Sequence, residues 1–202
     1  MKYILIILVT FLSCSKKAQS KFEKIKYTRA YNYIDSLALK IDPNKDYNYW
    51  AFSSYNQQYD SEKNEYKVLK QNGDIKYRKL ITDFKPFGFF ESGHPNYRCN
   101  YVLLVNKGIK KYICNNEEFR KFLGTVDNLE EAMLLARTYG YILDTDIKGS
   151  AYRIKDDTYE LHLMKFYEYP PQKESVEIKI DRKGNIKTKS LGIYCKGEKC
   201  YE

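Results

Sequence analysis

Hydrophobic and polar residues alternate most regularly near the C-terminus. In residues 174–181 valine and isoleucine alternate with charged residues, and residues 185–191 repeat the alternation after Arg182-Lys183-Gly184. A period of two places the apolar side chains of a strand on one face and the polar ones on the other. The two segments therefore predict an antiparallel hairpin that is buried on one side only.

Three further hairpins are predicted where turn residues separate two runs of strand-forming residues. Asn72-Gly73 is the strongest of these turn signals, because both residues tolerate positive φ angles. The predicted hairpins join 65–71 to 74–80 at this dipeptide, 98–105 to 109–114 at 106–108, and 150–155 to 158–167 at 156–157.

Three helices are predicted from apolar residues that recur on one helical face. The first covers residues 21–41 and ends at Asp42-Pro43, since proline cannot continue a helix. Asn115 or Asn116 can cap a second, short helix that ends at Gly124. Asp127-Asn128 caps the third, which ends at Gly140 and is expected to cover a sheet.

Hairpins that alternate with helices, without a βαβ series, indicate an α+β fold in which two or three helices cover an antiparallel sheet of hairpins. The irregular, phenylalanine-rich stretch 83–97 suggests a boundary between two lobes, at 22–92 and 93–202, although one continuous domain is the alternative. The tyrosine-rich segment 46–59 is either a stacking surface for sugars or peptides or a strand with a buried Trp50. We favour the strand, because aromatic residues are common there.

The N-terminal residues 1–17 change the class of protein that is expected. An apolar run from Tyr3 to Leu12 follows Lys2; it has the length of a signal-peptide core and is shorter than the roughly 20 residues of a membrane-spanning helix. Phe11-Leu12-Ser13-Cys14 resembles the lipobox of bacterial lipoproteins, although Phe11 and Leu12 replace the usual residues. We expect cleavage after residue 13 and acylation of Cys14. An ordinary secretory signal or an uncleaved anchor is the alternative.

Residues 14–21 are expected to form a polar tether between the lipid and the folded body. Lys16, Lys17 and Lys21 would attract anionic lipid, but a solvated tether accounts for them equally well. The chain has 35 Lys and Arg against 26 Asp and Glu, a net charge of +9. The basic residues are interleaved with acidic ones and form no arm or stripe, so we expect no nucleic-acid partner.

Four cysteines remain besides Cys14, and an even number in an oxidising periplasm favours disulfides. Cys195 and Cys200 flank a short turn and are expected to pair, which leaves Cys99 and Cys114 as partners across a hairpin. If the residues that flank the turn at 106–108 face each other, the second pair falls on opposite faces, and a one-residue shift or a bulge is needed. A four-cysteine zinc site is the alternative, although no C-x2-C pair is present.

Two histidines are the candidates for chemistry. His94 lies in a predicted turn, and His162 shares a strand face with Glu160, which could tune its ring. A solvated loop histidine and a half-buried strand histidine are the simpler interpretations. Neither histidine belongs to a known catalytic motif, so the sequence predicts no catalytic residue, metal or cofactor.

Residues 97–202 contain a cysteine-bearing hairpin followed by three segments in a recognisable order. These segments are FLGTVDNLEEAMLLARTYGYILD, GSAYRIKDDTYELHLMKFYEYP and KESVEIKIDRKGNIKTKSLGIYC. In this order the chain resembles lipoproteins of Bacteroidetes-type bacteria that have no assigned activity. The resemblance implies an envelope lipoprotein, and the lysines after Cys14 favour the periplasmic face of the outer membrane over surface display.

We therefore expect a membrane-anchored, non-enzymatic binding module whose partner is an envelope protein or a glycan. The alternatives are an inhibitor or immunity-type lipoprotein, and a hydrolase built on His94 or His162. A carboxylate within hydrogen-bonding reach of either histidine, inside a cleft, would favour the hydrolase.

Overall fold

The computed structural model describes residues 21–26, 33–57, 64–81, 87–92 and 97–201. The predicted signal segment, Cys14 and His94 lie outside these residues. The α-helices are α1 (Tyr33–Ala38), α2 (Asn116–Leu123) and α3 (Leu129–Arg137), and short 3₁₀ helices cover Ile75–Ile81, Ile147–Gly149 and Glu198–Tyr201. The strands are β1 (Glu23–Lys24), β2 (Tyr49–Gln57), β3 (Asn64–Gly73), β4 (Phe89–Ser92), β5 (Tyr97–Asn106), β6 (Ile109–Ile113), β7 (Ser150–Lys155), β8 (Thr158–Glu168), β9 (Pro171–Ile180) and β10 (Ile186–Lys196).

The strands of the described residues form two antiparallel sheets. The first sheet has the order β3-β2-β5-β4, with β6 also paired to β5. The second sheet has the order β1-β7-β8-β9-β10. The α+β prediction, with antiparallel sheets of hairpins and covering helices, is thus confirmed. Strand pairing also runs across the boundary predicted at residue 93, because β5 pairs with β2.

One cluster of buried side chains joins the helices to both sheets. On the first sheet, Phe52 of β2 meets Phe119 of α2 with ring centres 5.7 Å apart. On the second sheet, Leu161 and Ile178 are fully buried in the same cluster. Six consecutive residues of α3, from Glu131 to Ala136, are buried, so this helix is covered on all sides. The helices therefore lie between the two sheets.

The predicted helix caps and three of the predicted hairpins are confirmed. Asn115 caps α2 by accepting a hydrogen bond from the Glu118 amide, and Asn128 caps α3 in the same way. The pairs β5–β6, β7–β8 and β9–β10 form the hairpins. Asp156 and Asp157, at the β7–β8 turn, both have positive φ angles, as a two-residue hairpin turn requires.

The helix predicted over residues 21–41 is wrong at its N-terminal end. Residues 23 and 24 form strand β1, which pairs with β7, and the Ile25 amide donates to the Ser150 carbonyl at 2.8 Å. Within the described part of this segment, only Tyr33–Ala38 is α-helical. The open edge of β7 offers hydrogen-bond partners that the helical pattern of the sequence does not reveal.

The hairpin predicted around Asn72-Gly73 is also wrong. β3 pairs with β2, whose residue Tyr49 lies opposite Gly73. Asp74 then starts a 3₁₀ helix by accepting hydrogen bonds from the amides of Lys76 and Tyr77. Tyr77 and Leu80 of this helix pack on the outer face of the first sheet. Residues 75–81 therefore form a 3₁₀ helix and not a strand, because in this way they bury the outer face of the first sheet.

The tyrosine-rich segment forms strand β2, and both of its faces are buried. Trp50 and Phe52 point to the helices, whereas Tyr49 and Ala51 point to the cluster under the 3₁₀ helix. Trp50 is only 3% exposed. The interpretation as a strand with a buried tryptophan is confirmed, and the stacking-surface interpretation is wrong for these residues.

Candidate functional site

The alternation in β8 divides its side chains between the core and the outer face of the second sheet. Leu161 and Leu163 point into the core, so Glu160 and His162 lie on the outer face. The register places Arg153 of β7 opposite Glu160, and Glu177 of β9 opposite His162. Charged residues of three neighbouring strands therefore meet at one place.

Glu160 is the centre of this polar network and is 5% exposed. Arg153 donates to one carboxylate oxygen through Nε at 2.5 Å, and Lys179 Nζ donates to the other at 2.9 Å. Burial opposes ionisation of Glu160, but the two hydrogen bonds outweigh it and hold the pKa of the carboxyl below its usual value. Glu160 is therefore ionised at neutral pH and neutralises Arg153.

His162 lies beside this network, under the ring of Phe22. The two ring centres are 3.9 Å apart with an angle of 22° between the planes. The Nε2 atom is 3.7 Å from a carboxylate oxygen of Glu177. Burial lowers the pKa of His162 and outweighs the opposing effect of Glu177, so the ring is neutral at neutral pH.

Phe22, Arg153 and His162 line a pocket of about 580 Å³. Phe22 comes from the segment before β1, and the 3₁₀ helix Ile147–Gly149 contributes Ile147 and Lys148 as a second wall. The lining residues are Lys21, Phe22, Ile147, Lys148, Ala151, Arg153 and His162. The volume lies within the range of about 300–1,000 Å³ that is typical of small-molecule sites.

Hydrogen bonds around Gly149 hold the 3₁₀ helix Ile147–Gly149, which lines the pocket, against the sheet. The Asp146 carboxylate accepts from the Lys148 amide, and the Ser175 hydroxyl donates to the Lys148 carbonyl. A Cβ atom on Gly149 would lie 2.8 Å from the side chains of Asp144 and Tyr194, which are themselves hydrogen-bonded. Only glycine lets this wall approach the sheet so closely.

The pocket combines positive charge with apolar surface. In the described ranges, the side chains of Lys21 and Lys148 make no ion pair, whereas Arg153 is held by Glu160. Ile147 is 52% exposed at the rim, and the guanidinium carbon of Arg153 is 4.5 Å from the centre of the Phe22 ring. The lining therefore presents two lysines without an ion pair in the described residues, next to a partly exposed hydrophobic wall. The ammonium of Lys148 lies 5.9 Å from the centre of the Tyr194 ring.

Of the residues that the sequence singled out for chemistry, His162 lies in the pocket. The partner that the sequence suggested for it, Glu160, instead binds Arg153 and Lys179, and Glu177 faces the imidazole. Sequence reasoning missed Phe22, which it placed on a helix, and Lys148, which lies in no recognisable motif. The cross-strand partners Arg153 and Glu177 could in principle be predicted from the sequence, because each lies on the polar face of an alternating strand.

The cysteines differ from the sequence expectation at one pair. Cys195 and Cys200 form a disulfide with a Cα–Cα distance of 5.7 Å, as predicted. Cys99 and Cys114 keep their thiols in the structure, so the predicted second disulfide is not formed. Asn106 opposes Ile109, and this one-residue shift puts both cysteines on the same face, but two residues out of register. Burial raises the pKa of each thiol to about 11, so both are poor nucleophiles.

No protein-family model, curated protein or solved structure matches this chain. In the part of the chain that the structure describes, no helix is long and apolar enough to cross a membrane. The same part contains no group of three or more His, Cys, Asp or Glu side chains that could hold a metal ion. Functional conclusions therefore depend on the pocket and its charges.

Proposed function

We propose that this chain is a lipid-anchored binding protein of the bacterial envelope, and that its ligand site is the pocket between Phe22 and Ile147. Acylated Cys14 would hold it to the outer membrane, facing the periplasm. The observation that carries the proposal is the lining itself. Two lysines without ion pairs in the described residues lie beside a half-buried aromatic ring and an exposed isoleucine. An open depression that combines apolar surface with charged groups can hold a ligand by both.

The geometry supports binding better than hydrolysis. His162 and Glu177 are 3.7 Å apart, beyond the roughly 3.2 Å of a catalytic hydrogen bond. Phe22 covers one face of the imidazole. Among the lining residues that the structure describes, there is no serine, threonine or cysteine to act as a nucleophile. His162 is therefore better explained as part of the pocket wall than as a general base.

The position of β1 also fits an anchored protein. β1 pairs with β7 and begins at Glu23, two positions after the last residue of the proposed tether, 14–21. The tether would thus lead into the folded body beside the pocket. Lys21, the last residue of the tether, is also a lining residue.

Photo-crosslinking in the native envelope tests the proposed site. A photoreactive amino acid replaces Ile147 at the rim, and as a control it replaces Ile109, which is 71% exposed in the first sheet. We expect a discrete adduct from position 147 and none from 109. Equal labelling at both positions, or none at 147, would refute the pocket as the ligand site.

The anchor is tested separately. We expect mass spectrometry of the native protein to find an acylated Cys14 as the first residue, and Cys14→Ala to leave the membrane fraction. Any other N-terminal residue in the mature protein would contradict the anchor without bearing on the pocket.

A further inference from the structure

We infer that the pocket binds an anionic amphiphile, and that its ligand is an anionic phospholipid of the membrane that holds the tether. The inference rests on the proposed function. It adds the chemical class of the ligand and the source from which that ligand comes.

The charges of the lining select for an anion. Glu160 neutralises Arg153, and it is hydrogen-bonded to Lys179 as well. The ammonium groups of Lys21 and Lys148 have no such partner among the described residues, and both side chains are exposed. Lysine is a flexible point charge with three donors, which suits a phosphate oxygen whose position is not fixed.

The uncharged part of the lining selects for an apolar body attached to that anion. Phe22, Ala151 and the exposed side chain of Ile147 line the pocket next to the two lysines. Inorganic phosphate would leave this surface in contact with water. A molecule with a phosphate at one end and an aliphatic portion at the other would cover it and remove it from water, which is favourable.

The position of the pocket relative to the proposed anchor favours a membrane lipid as the source. Lys21 is seven residues beyond Cys14, and a chain extends by at most about 3.6 Å per residue. The pocket would thus stay within roughly 25 Å of the lipid surface. Within that distance, anionic phospholipids are the abundant molecules that join a phosphate to an apolar chain, and nearby lysines attract their headgroups.

Calorimetric titration of the native, acylated protein in neutral detergent tests this inference. The probes are dioctanoyl-phosphatidylglycerol, dioctanoyl-phosphatidylcholine and inorganic phosphate. The two lipids have identical chains, so a difference between them reports the headgroup. We expect the anionic lipid to bind at least about tenfold more tightly than the zwitterionic one, and phosphate more weakly than either.

Matched variants locate the binding in the pocket. Lys21→Ala and Lys148→Ala should each weaken binding of the anionic lipid about fivefold, which corresponds to about 1 kcal/mol per charge. Ile147→Asn should weaken both lipids. Lys40→Ala, an exposed lysine after α1, should change nothing.

Equal affinity for the two lipids would overturn the inference, and so would phosphate binding as tight as lipid binding. Its failure is distinguishable from failure of the proposed function. If no lipid binds but the photoreactive residue at 147 still gives a discrete adduct, the site stands and the ligand class is wrong. If both results are negative, both proposals fail.

Discussion

Phe22 stacks on His162 with 3.9 Å between ring centres, although 140 residues separate them in the chain. Through this contact, the segment that precedes β1 packs on strand β8 in the middle of the second sheet. It also makes this N-terminal segment one wall of the pocket. A substitution that detaches the segment before β1 from the second sheet should therefore also disrupt the pocket.

We expect Phe22→Ala to lower the free energy of unfolding by about 1–2 kcal/mol, since the ring is only half-buried but loses contacts with both His162 and Arg153. Urea titration measures the loss. Hydrogen exchange should show faster exchange of the Ile25 amide, which donates to Ser150. Phe87→Ala is the matched control, because Phe87 is 82% exposed. An equal loss in both variants would rule out a specific role for the Phe22 contact.

Glu160→Gln should destabilise the second sheet, because it leaves Arg153 and Lys179 without their shared carboxylate. Removing one member of a buried charge network costs about 3–5 kcal/mol, and we expect about 2 kcal/mol here because the Lys179 side chain is 42% exposed. Glu117→Gln is the control: Glu117 pairs with Lys121 on the surface, where both side chains are about 70% exposed. It should cost less than about 0.5 kcal/mol. If Glu160→Gln and Glu117→Gln had the same denaturation midpoint, the proposed role of the Glu160 network in stability would be contradicted.

The lowered pKa of His162 predicts a dependence of stability on pH. A histidine has an ordinary pKa of 6.5, and the folded protein holds its proton less tightly than the unfolded chain does. Stability is therefore unaffected by this group above pH 6.5 and falls as the pH drops below that value toward the folded-state pKa. His162→Gln should remove this loss between pH 7 and 5, measured as the difference from wild type. His94→Gln serves as the comparison, and an identical pH profile for wild type and His162→Gln would exclude the effect.

Glu131 should be a second sensitive position, because it is fully buried at the start of α3. Its carboxylate oxygens accept hydrogen bonds from the amides of Asp42 at 2.7 Å and Asp127 at 2.8 Å. In Glu131→Gln an NH₂ group would face one of these N–H donors, which should cost about 1–3 kcal/mol. Thermal unfolding at neutral pH measures it, with the exposed Glu198→Gln as a neutral control. A melting temperature unchanged by Glu131→Gln would show that the two amides find other partners.

The local patterns predicted α2, α3 and the hairpins β5–β6, β7–β8 and β9–β10 because those elements are stabilised by their own residues. Asn115 and Asn128 cap their helices with hydrogen bonds three residues away. Asp156 and Asp157 form a turn between neighbouring strands. In each case the information lies within a few positions of the chain.

The elements that the sequence did not predict depend on distant partners. β1 forms because β7, more than 120 residues later, has an open edge. Residues 75–81 become a 3₁₀ helix because they cover the tyrosine-rich face of the first sheet. The candidate site belongs to the same class, since Phe22, Lys148, Arg153 and His162 come from separate elements. Alternation places residues on a face, but only the strand order brings them together.

Because α3 is enclosed between the two sheets, neither sheet can lose its covering without exposing the same leucines and alanines to water. The halves of the molecule thus share one melting event, and scanning calorimetry should record a single peak whose calorimetric and van't Hoff enthalpies agree.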